Sequence, residues 1–160
     1  QLESNPVPPE MDGINMNEVI RNACNEVQGL LAGSDKISIV NDCDKPIKGI
    51  ATELNSLCTN LISNAVRYSP DGADIEISWA SLSDSTARLS VKDSGIGIAK
   101  EHIDRITERF YRVDMKDSRA RGGTGLGLAI VKHVLRRHNS ELEVKSRVNE
   151  GSLFYCDFEL

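Results

Sequence analysis

Three segments of the chain repeat apolar residues at the three- and four-residue spacing of an amphipathic α-helix. The first covers about 17–32, with Asn15 or Asn17 as its N-terminal cap. The second covers 52–68, and the third begins near 126. Their apolar positions are Val19, Ile20, Ala23, Cys24, Val27, Leu30 and Leu31, then Leu54, Leu57, Cys58, Leu61, Ile62 and Ala65, then Leu126, Leu128, Ala129, Ile130, Val131, Val134 and Leu135.

Short apolar and β-branched runs between these helices predict strands. A hairpin is predicted around Asn149-Glu-Gly151, and a short helix at about 99–106. Strands separated by helices and hairpins predict an α/β fold of two layers, a mixed β-sheet covered on one face by helices. The predicted strands are 37–40, 75–82, 86–93, 142–148 and 153–158, with weaker candidates at 13–16 and 46–50.

Length and composition favour one soluble domain. The chain has 160 residues, and three of its five prolines fall in 1–12, which we interpret as a linker before a domain at 13–160. A net charge of -5 argues against nucleic-acid binding through a basic surface. Four separated cysteines predict free thiols without a metal site, and the absence of a long apolar run predicts no membrane contact by this segment.

Three glycines at alternate positions, Gly123, Gly125 and Gly127, lead into the third helix. Glycine lets a backbone approach a ligand closely, and a helix N-terminus offers unpaired N–H groups. These features favour a phosphate site, although a mobile loop before an ordinary core helix fits the same residues. A Walker loop fits poorly because no lysine follows closely, and a Rossmann fingerprint because a charged segment precedes the glycines.

The second predicted helix carries a row of polar residues at the edge of its apolar face. Asn60, Asn64 and Arg67 fall within about 60° of one another around the helix axis, and Tyr68 follows. An asparagine oxygen can bind Mg²⁺, the arginine can reach a phosphate, and the tyrosine can cover a base. The alternative is a solvated helix face.

Asp93 ends a predicted strand and is followed closely by Gly95 and Gly97. An ionised carboxylate only accepts hydrogen bonds, and adenine presents an amino donor where guanine presents an oxygen. The position therefore favours ATP over GTP. A plain Asp-x-Gly turn fits the same residues when they are considered alone.

Taken together, five stretches resemble the sequence boxes of bacterial sensor histidine kinases. They are the N box at 60–68, the G1 box at 93–98, the F box at 108–112, the G2 box at 123–128 and the terminal Gly-Thr-x-Phe at 151–154. Order and spacing agree over about 10–160, and the phosphate-regulon sensor kinases are the most similar subgroup. Ser94 replaces the usual asparagine and Arg67 the usual lysine, and both preserve hydrogen bonding or charge.

This resemblance implies the Bergerat ATP-binding fold, with ATP and Mg²⁺ as cofactors. Asn64 would bind Mg²⁺ with help from Asn60, Asp93 would accept from the adenine amino group, and a lid anchored by Phe110 would cover about 98–124. Asn60, Arg67 and Arg112 would act in catalysis. The full nucleotide-binding set implied is Asn60, Asn64, Arg67, Tyr68, Asp93, Gly95, Gly97, Ile98, Phe110, Arg112, Gly123, Thr124, Gly125, Leu126, Gly127, Leu128 and Ser152.

The resemblance also implies a function in two-component signalling. Such a domain transfers the γ-phosphoryl group of Mg·ATP to a histidine on a separate dimerisation domain, which then serves a response regulator. His102, His133 and His138 lack the surrounding box of an acceptor histidine. We therefore expect a catalytic domain that is separated from its acceptor histidine. The resemblance further implies that this domain is cytoplasmic and that its parent protein is an inner-membrane sensor.

Two other functions remain open. An ATP-driven conformational ATPase of the Hsp90, gyrase or mismatch-repair type shares this fold but places a glutamate where Asn60 stands. Because an amide is not a general base at neutral pH, this alternative is less favoured. A nucleotide-sensing adaptor without transfer chemistry is the other.

Overall fold

The protein has a mixed β-sheet covered on one face by helices, which confirms the predicted two-layer α/β architecture. The computed structural model describes residues 11–31, 33, 35–70, 72, 74–109, 111 and 127–160. The strands are β1 (Asp12–Ile14), β2 (Lys36–Asp42), β3 (Ile47–Gly49), β4 (Asp74–Ser81), β5 (Thr86–Asp93), β6 (Glu143–Arg147) and β7 (Gly151–Glu159). The helices are α1 (Met16–Glu26), α2 (Ala51–Arg67), α3 (Lys100–Ile103) and α4 (Gly127–Arg137), with a 3₁₀ turn at Val27–Leu30.

The main sheet has the strand order β2-β4-β5-β7-β6. β2 runs parallel to β4, and the other neighbours are antiparallel. In this register Asp93 of β5 lies opposite Ser152 of β7, and Ser152 lies opposite Ser146 of β6. Residues that lie directly opposite share a face, so the register sets a row of three polar side chains across the end of the sheet.

The core lies between the helices and alternate residues of the central strands. Leu54, Leu57 and Leu61 of α2 are buried there, and α2 packs against both α1 and α4. Trp79 contacts Phe158 with ring centroids 6.0 Å apart. The strand positions that face this core are Ile75, Ile77, Trp79, Ala87, Leu89, Val91, Phe154, Cys156 and Phe158.

His138 joins the end of α4 to the start of α2. Its Nδ1 lies 2.8 Å from the carbonyl oxygen of Val134, and the backbone N–H of Ile50 donates to its Nε2 at 3.1 Å. Since one ring nitrogen donates and the other accepts, this pattern uses the neutral imidazole. His138 is buried and satisfies one of the unpaired N–H groups at the start of α2.

Two predicted helices are shorter than expected. Asn15 caps α1 by accepting from the backbone N–H groups of residues 17 and 18, but α1 ends at Glu26 and tightens into the 3₁₀ turn. The prediction that Leu30 shares the apolar face is therefore wrong, and this side chain is 54% exposed. The helix predicted at 99–106 is limited to α3, although Ile106 beyond it is still buried.

Candidate functional site

Asn64 is a polar residue that α2 buries almost completely, with 2% of its surface exposed. Its Oδ1 accepts a hydrogen bond of 2.8 Å from Nη2 of Arg67, one turn later on the helix. Its Nδ2 is buried and has no hydrogen-bond partner within the described part of the chain. A buried amide without a hydrogen-bond partner lowers the stability of the fold, so it marks Asn64 as a candidate for ligand binding.

Asn60 lies one turn before Asn64 and faces the start of α4. Its Nδ2 donates to the backbone oxygen of Ser56 at 2.7 Å. A Cβ atom placed on Gly127 would lie 3.0 Å from Oδ1 of Asn60, so this glycine allows the close approach of the two helices. The Asn60 oxygen therefore lies beside the first residue of the glycine helix.

Asp93 presents a buried carboxylate at the end of β5. The side chain is 2% exposed, and its Oδ1 accepts from the backbone N–H of Gly95 at 2.9 Å. Burial raises the pKa of Asp93 to about 6, and the backbone N–H groups of Gly95 and Ser152 oppose this shift. Oδ2 of Asp93 is buried and has no hydrogen-bond partner among the described residues. One carboxylate oxygen thus remains available to a donor.

The loop after Asp93 is fixed to the end of α2. The backbone N–H of Ile96 donates to the carbonyl oxygen of Tyr68 at 2.9 Å. A Cβ atom on Gly95 would lie only 2.0 Å from the same oxygen, so no larger residue fits at this point. This contact connects the asparagine row of α2 with the loop that carries Asp93.

The same loop is held on its other side by the β6–β7 hairpin. Gly97 has a φ of +73°, and a Cβ atom on it would lie 2.0 Å from the carbonyl oxygen of Arg147. Gly151 has a φ of +101°, and its Cβ atom would lie 2.1 Å from the carbonyl oxygen of Asp93. Both positions combine a left-handed backbone with a close contact, which restricts them to glycine.

Gly97→Ala is expected to lower the free energy of unfolding by about 2–5 kcal/mol, since backbone strain and overpacking add. Gly29→Ala is a matched control because its φ is not positive and a Cβ atom added there would meet nothing within 4 Å. Urea unfolding of both variants measures the difference. Equal stabilities would show that the loop adapts freely to a side chain.

The structure brings part of the predicted site together. Asn60 adjoins Gly127, Tyr68 contacts the loop of Asp93, and Ser152 pairs with Asp93 across the sheet. The described site residues are Asn60, Asn64, Arg67 and Tyr68 on or at the end of α2, Asp93, Gly95, Gly97 and Ile98 at the loop, Gly127 and Leu128 on α4, and Ser152 on β7. Phe110, Arg112, Gly123, Thr124, Gly125 and Leu126 lie outside the described residues.

The expected lid at about 98–124 is described only in its first part. Ile98 and Ile106 are buried there, and the backbone N–H of Ile98 donates to the hydroxyl of Ser146 at 2.7 Å. Ser146 is a site neighbour that the sequence analysis missed, because no motif marks it. Only the register of β6 against β7 places it in contact with Ser152.

The side chains of the site can be compared with those of common metal-binding clusters. Within the described ranges, no three histidine, cysteine, aspartate or glutamate residues cluster as a metal site. The side-chain oxygens of Asn60 and Asn64 are neutral amide oxygens. Among the helices that the structure describes, none has the length and apolar character needed to cross a membrane.

Residues 49–160 match the family of histidine kinase-, DNA gyrase B- and HSP90-like ATPases. The phosphate regulon sensor protein PhoR of Pseudomonas aeruginosa is 43% identical over 159 residues, which is 99% of this chain and 36% of that protein. The sensor-like histidine kinase SenX3 of Mycolicibacterium smegmatis is 40% identical over 148 residues, 91% of this chain and 38% of that protein. The chain thus spans little more than a third of the length of these relatives.

Solved structures also share the fold. The mycobacterial sensor histidine kinase MprB has a TM-score of 0.81 at 24% identity, with 93% of this chain and 97% of that chain covered. Full-length ShkA in complex with AMPPNP has a TM-score of 0.79 at 20% identity, with 97% of this chain and 32% of that chain covered. At these identities the similarity establishes the architecture of the chain.

Proposed function

The chain belongs to the histidine kinase-, DNA gyrase B- and HSP90-like ATPase family, and we propose that it is the catalytic domain of a sensor histidine kinase. It would bind Mg·ATP and transfer the γ-phosphoryl group to a histidine on a separate dimerisation domain. PhoR is named a phosphate regulon sensor protein and SenX3 a sensor-like histidine kinase, and the family model covers 49–160, so the resemblance predicted from the sequence boxes is confirmed. ShkA, which shares the fold, forms a complex with an ATP analogue.

The buried carboxylate of Asp93 is the observation that carries the proposal. Its Oδ2 lacks a hydrogen-bond partner among the described residues, and burial raises its pKa to about 6. A ligand amino group would satisfy this oxygen and stabilise the ionised form. Adenine supplies such a donor, whereas guanine would place an oxygen against the carboxylate.

The phosphate side of the ligand would lie between α2 and the glycine helix. Gly127 begins α4 beside Asn60, and a helix N-terminus favours an anion. We propose Gly123, Thr124, Gly125 and Leu126, with Gly127 and Leu128, as the phosphate-binding segment. Arg67 and Arg112 would neutralise phosphate charge, Tyr68 would cover the base, and Phe110 would anchor the lid.

Asn64 and Asn60 would hold the Mg²⁺ ion. Mg²⁺ commonly takes few protein oxygens and leaves its other positions to water and phosphates, so two neutral amide oxygens fit it. The ion would neutralise negative charge on the phosphates. Oδ1 of Asn64 now accepts from the cationic Arg67, so this oxygen already lies where a positive charge is favourable. On metal binding, Arg67 would exchange this contact for a phosphate oxygen.

Asn64→Ala is expected to weaken Mg·ATP binding at least tenfold more than it weakens binding of metal-free ATP, a difference of about 1.4 kcal/mol. The reason is that the lost oxygen binds the metal and not the nucleotide. Asn55→Ala is the matched control, since Asn55 lies on the same helix and donates to Glu26. Calorimetric titration with magnesium and with EDTA measures both. Equal losses in the two conditions would remove Asn64 from the metal site.

The residues of the site would work by positioning and charge neutralisation. Phosphoryl transfer requires an acceptor in line with the γ-phosphate and cations near its oxygens. Arg67, Arg112 and the metal held by Asn64 would supply the positive charge. Nδ2 of Asn60 already donates to the Ser56 carbonyl oxygen, which fixes the orientation of the amide. Oδ1 of Asn60 would then help to position the metal and the phosphates.

The main alternative is an ATP-driven conformational ATPase of the same fold. Such an enzyme needs a base to activate water, and Asn60 cannot act as one at neutral pH. The experiment that separates the functions compares phosphate released to water with phosphate delivered to a histidine-bearing dimerisation domain. Transfer supports a kinase, release alone supports an ATPase, and neither supports a nucleotide-sensing adaptor.

The whole protein would extend beyond this chain. We propose that 1–12 link it to an upstream dimerisation domain and that 13–160 form the catalytic unit, with a lid at about 98–124. A response regulator would receive the phosphoryl group, and the likeness to PhoR supports phosphate availability as the signal. The catalytic unit would then be the cytoplasmic part of an inner-membrane sensor.

A further inference from the structure

Ser146 has a hydroxyl group with three polar contacts. Its Oγ lies 2.7 Å from the backbone nitrogen of Ile98, 3.1 Å from the carbonyl oxygen of Gly151 and 2.7 Å from Oγ of Ser152. A hydroxyl has one proton to donate and two lone pairs to accept with. Three contacts therefore use the complete hydrogen-bonding capacity of this side chain.

The partners decide the direction of each hydrogen bond. The Ile98 nitrogen can only donate and the Gly151 oxygen can only accept, so Ser146 gives its proton to Gly151. All three contacts are then hydrogen bonds only if Ser152 donates to Ser146. The reverse direction would lose the bond to Gly151.

The surroundings of Ser152 support this direction. Ser152 is 4% exposed and lies opposite Asp93 in the register of β5 and β7. If Ser152 gave its proton to Asp93, Oδ2 of that carboxylate would have a partner. Among the described residues it has none. The proton of Ser152 is thus directed to Ser146, and Ser152 keeps only lone pairs for other partners.

We propose that Ser146 is a specificity-determining residue, which orients the Ser152 hydroxyl so that Ser152 and Asp93 together present only acceptors to the base. Such a surface accepts an exocyclic amino group, directly or through a water that donates to both residues. It rejects a 6-oxo base, whose oxygen would face two acceptors. Ser146 acts through Ser152 and does not contact the base. The inference rests on the proposed ATP site and adds to it the origin of its base selectivity.

Ser146→Ala leaves Ser152 free to turn its proton toward the ligand or toward Asp93. A 6-oxo base then finds a donor, so the ratio of the ITP to the ATP dissociation constant should fall about tenfold, as expected for one hydrogen bond. ITP is the probe because it differs from ATP only around position 6 of the purine. The ratio cancels any loss that both nucleotides share through the freed Ile98 amide.

Two further variants distinguish this role from a structural one. Ser146→Thr keeps the hydroxyl group and should show the wild-type ratio of the ITP to the ATP dissociation constant. In a Ser152→Ala background, Ser146→Ala should leave the ratio unchanged, because its effect passes through Ser152. Thermal unfolding of each variant establishes that it is folded before titration.

The outcomes separate this inference from the proposed function. Wild-type protein that binds ATP and ITP equally, or binds neither, would contradict the adenine site itself. Discrimination in the wild type that persists in folded Ser146→Ala would overturn the role of Ser146 alone. Equal effects of Ser146→Ala with and without Ser152 would also overturn it, since Ser146 would then act by another route.

Discussion

Asp93→Asn is expected to make the nucleotide-free protein more stable and a poorer binder of ATP. Burial raises the pKa of Asp93 from 3.8 to about 6, so the ionised carboxylate is unfavourable in the folded protein at neutral pH. A shift of this size corresponds to up to about 3 kcal/mol. Asparagine removes that charge, and urea unfolding at neutral pH should show a higher free energy of unfolding.

The same substitution should reduce base discrimination. An amide can rotate to present either a donor or an acceptor, so a guanine oxygen is no longer rejected. A site that leaves polar groups unpaired can reject a wrong ligand by about 10⁴-fold. We expect the ratio of the GTP to the ATP dissociation constant to be at least tenfold smaller in the variant than in the wild type. Titration with ATP and GTP measures it. Unchanged discrimination in Asp93→Asn would exclude this carboxylate from base recognition.

Titration of Asp93 should change the free energy of unfolding and the affinity for ATP in opposite directions. The folded pKa exceeds the unfolded value, so the folded state holds the proton between about pH 4 and pH 6, and the free energy of unfolding falls as the pH rises through this range. ATP affinity should instead fall as the pH drops below about 6, since a protonated carboxyl is a poorer acceptor. Asp93→Asn should lack both trends, which controls for titration of the nucleotide itself.

The sequence predicted the elements best where the pattern was strictly local. β5 follows its predicted bounds because apolar residues alternate along it without interruption. α1 was predicted too long because Leu30 fits the helical spacing, although the chain tightens after Glu26. Periodicity records which residues are apolar, but it does not show where the last turn departs from α geometry.

The sequence could predict those site residues that belong to one short segment. Asn64 and Asp93 were found because each belongs to a short motif, and the structure buries both. Ser146 was missed because its significance comes from strand register, which places it beside Ser152. The contact of Arg67 with Asn64 was also not foreseen, since helical spacing makes the two residues neighbours without fixing their rotamers.

Incubation of this chain alone with γ-32P-labelled ATP is expected to give negligible labelling. His138 is buried with both ring nitrogens in hydrogen bonds, and Nδ1 of His102 contacts the hydroxyl of Tyr111. His133 lies on the polar side of α4 and lacks an acceptor box. Water should also be a poor acceptor, because the amide of Asn60 cannot act as a general base at neutral pH. The chain should therefore bind ATP and turn it over slowly.

Addition of a histidine-bearing dimerisation domain should then restore transfer, with the label on the partner and an initial rate proportional to its concentration. In the proposed mechanism the rate depends on encounter, because this chain would supply the nucleotide site and the partner would supply the nucleophile. A partner with its acceptor histidine changed to glutamine controls for labelling elsewhere, and Asn64→Ala in this chain should abolish transfer. Strong acid-labile labelling of this chain by itself would contradict the kinase proposal. Absence of transfer to a competent partner at high concentration would contradict it equally, because positioning by this site would then not suffice for the reaction.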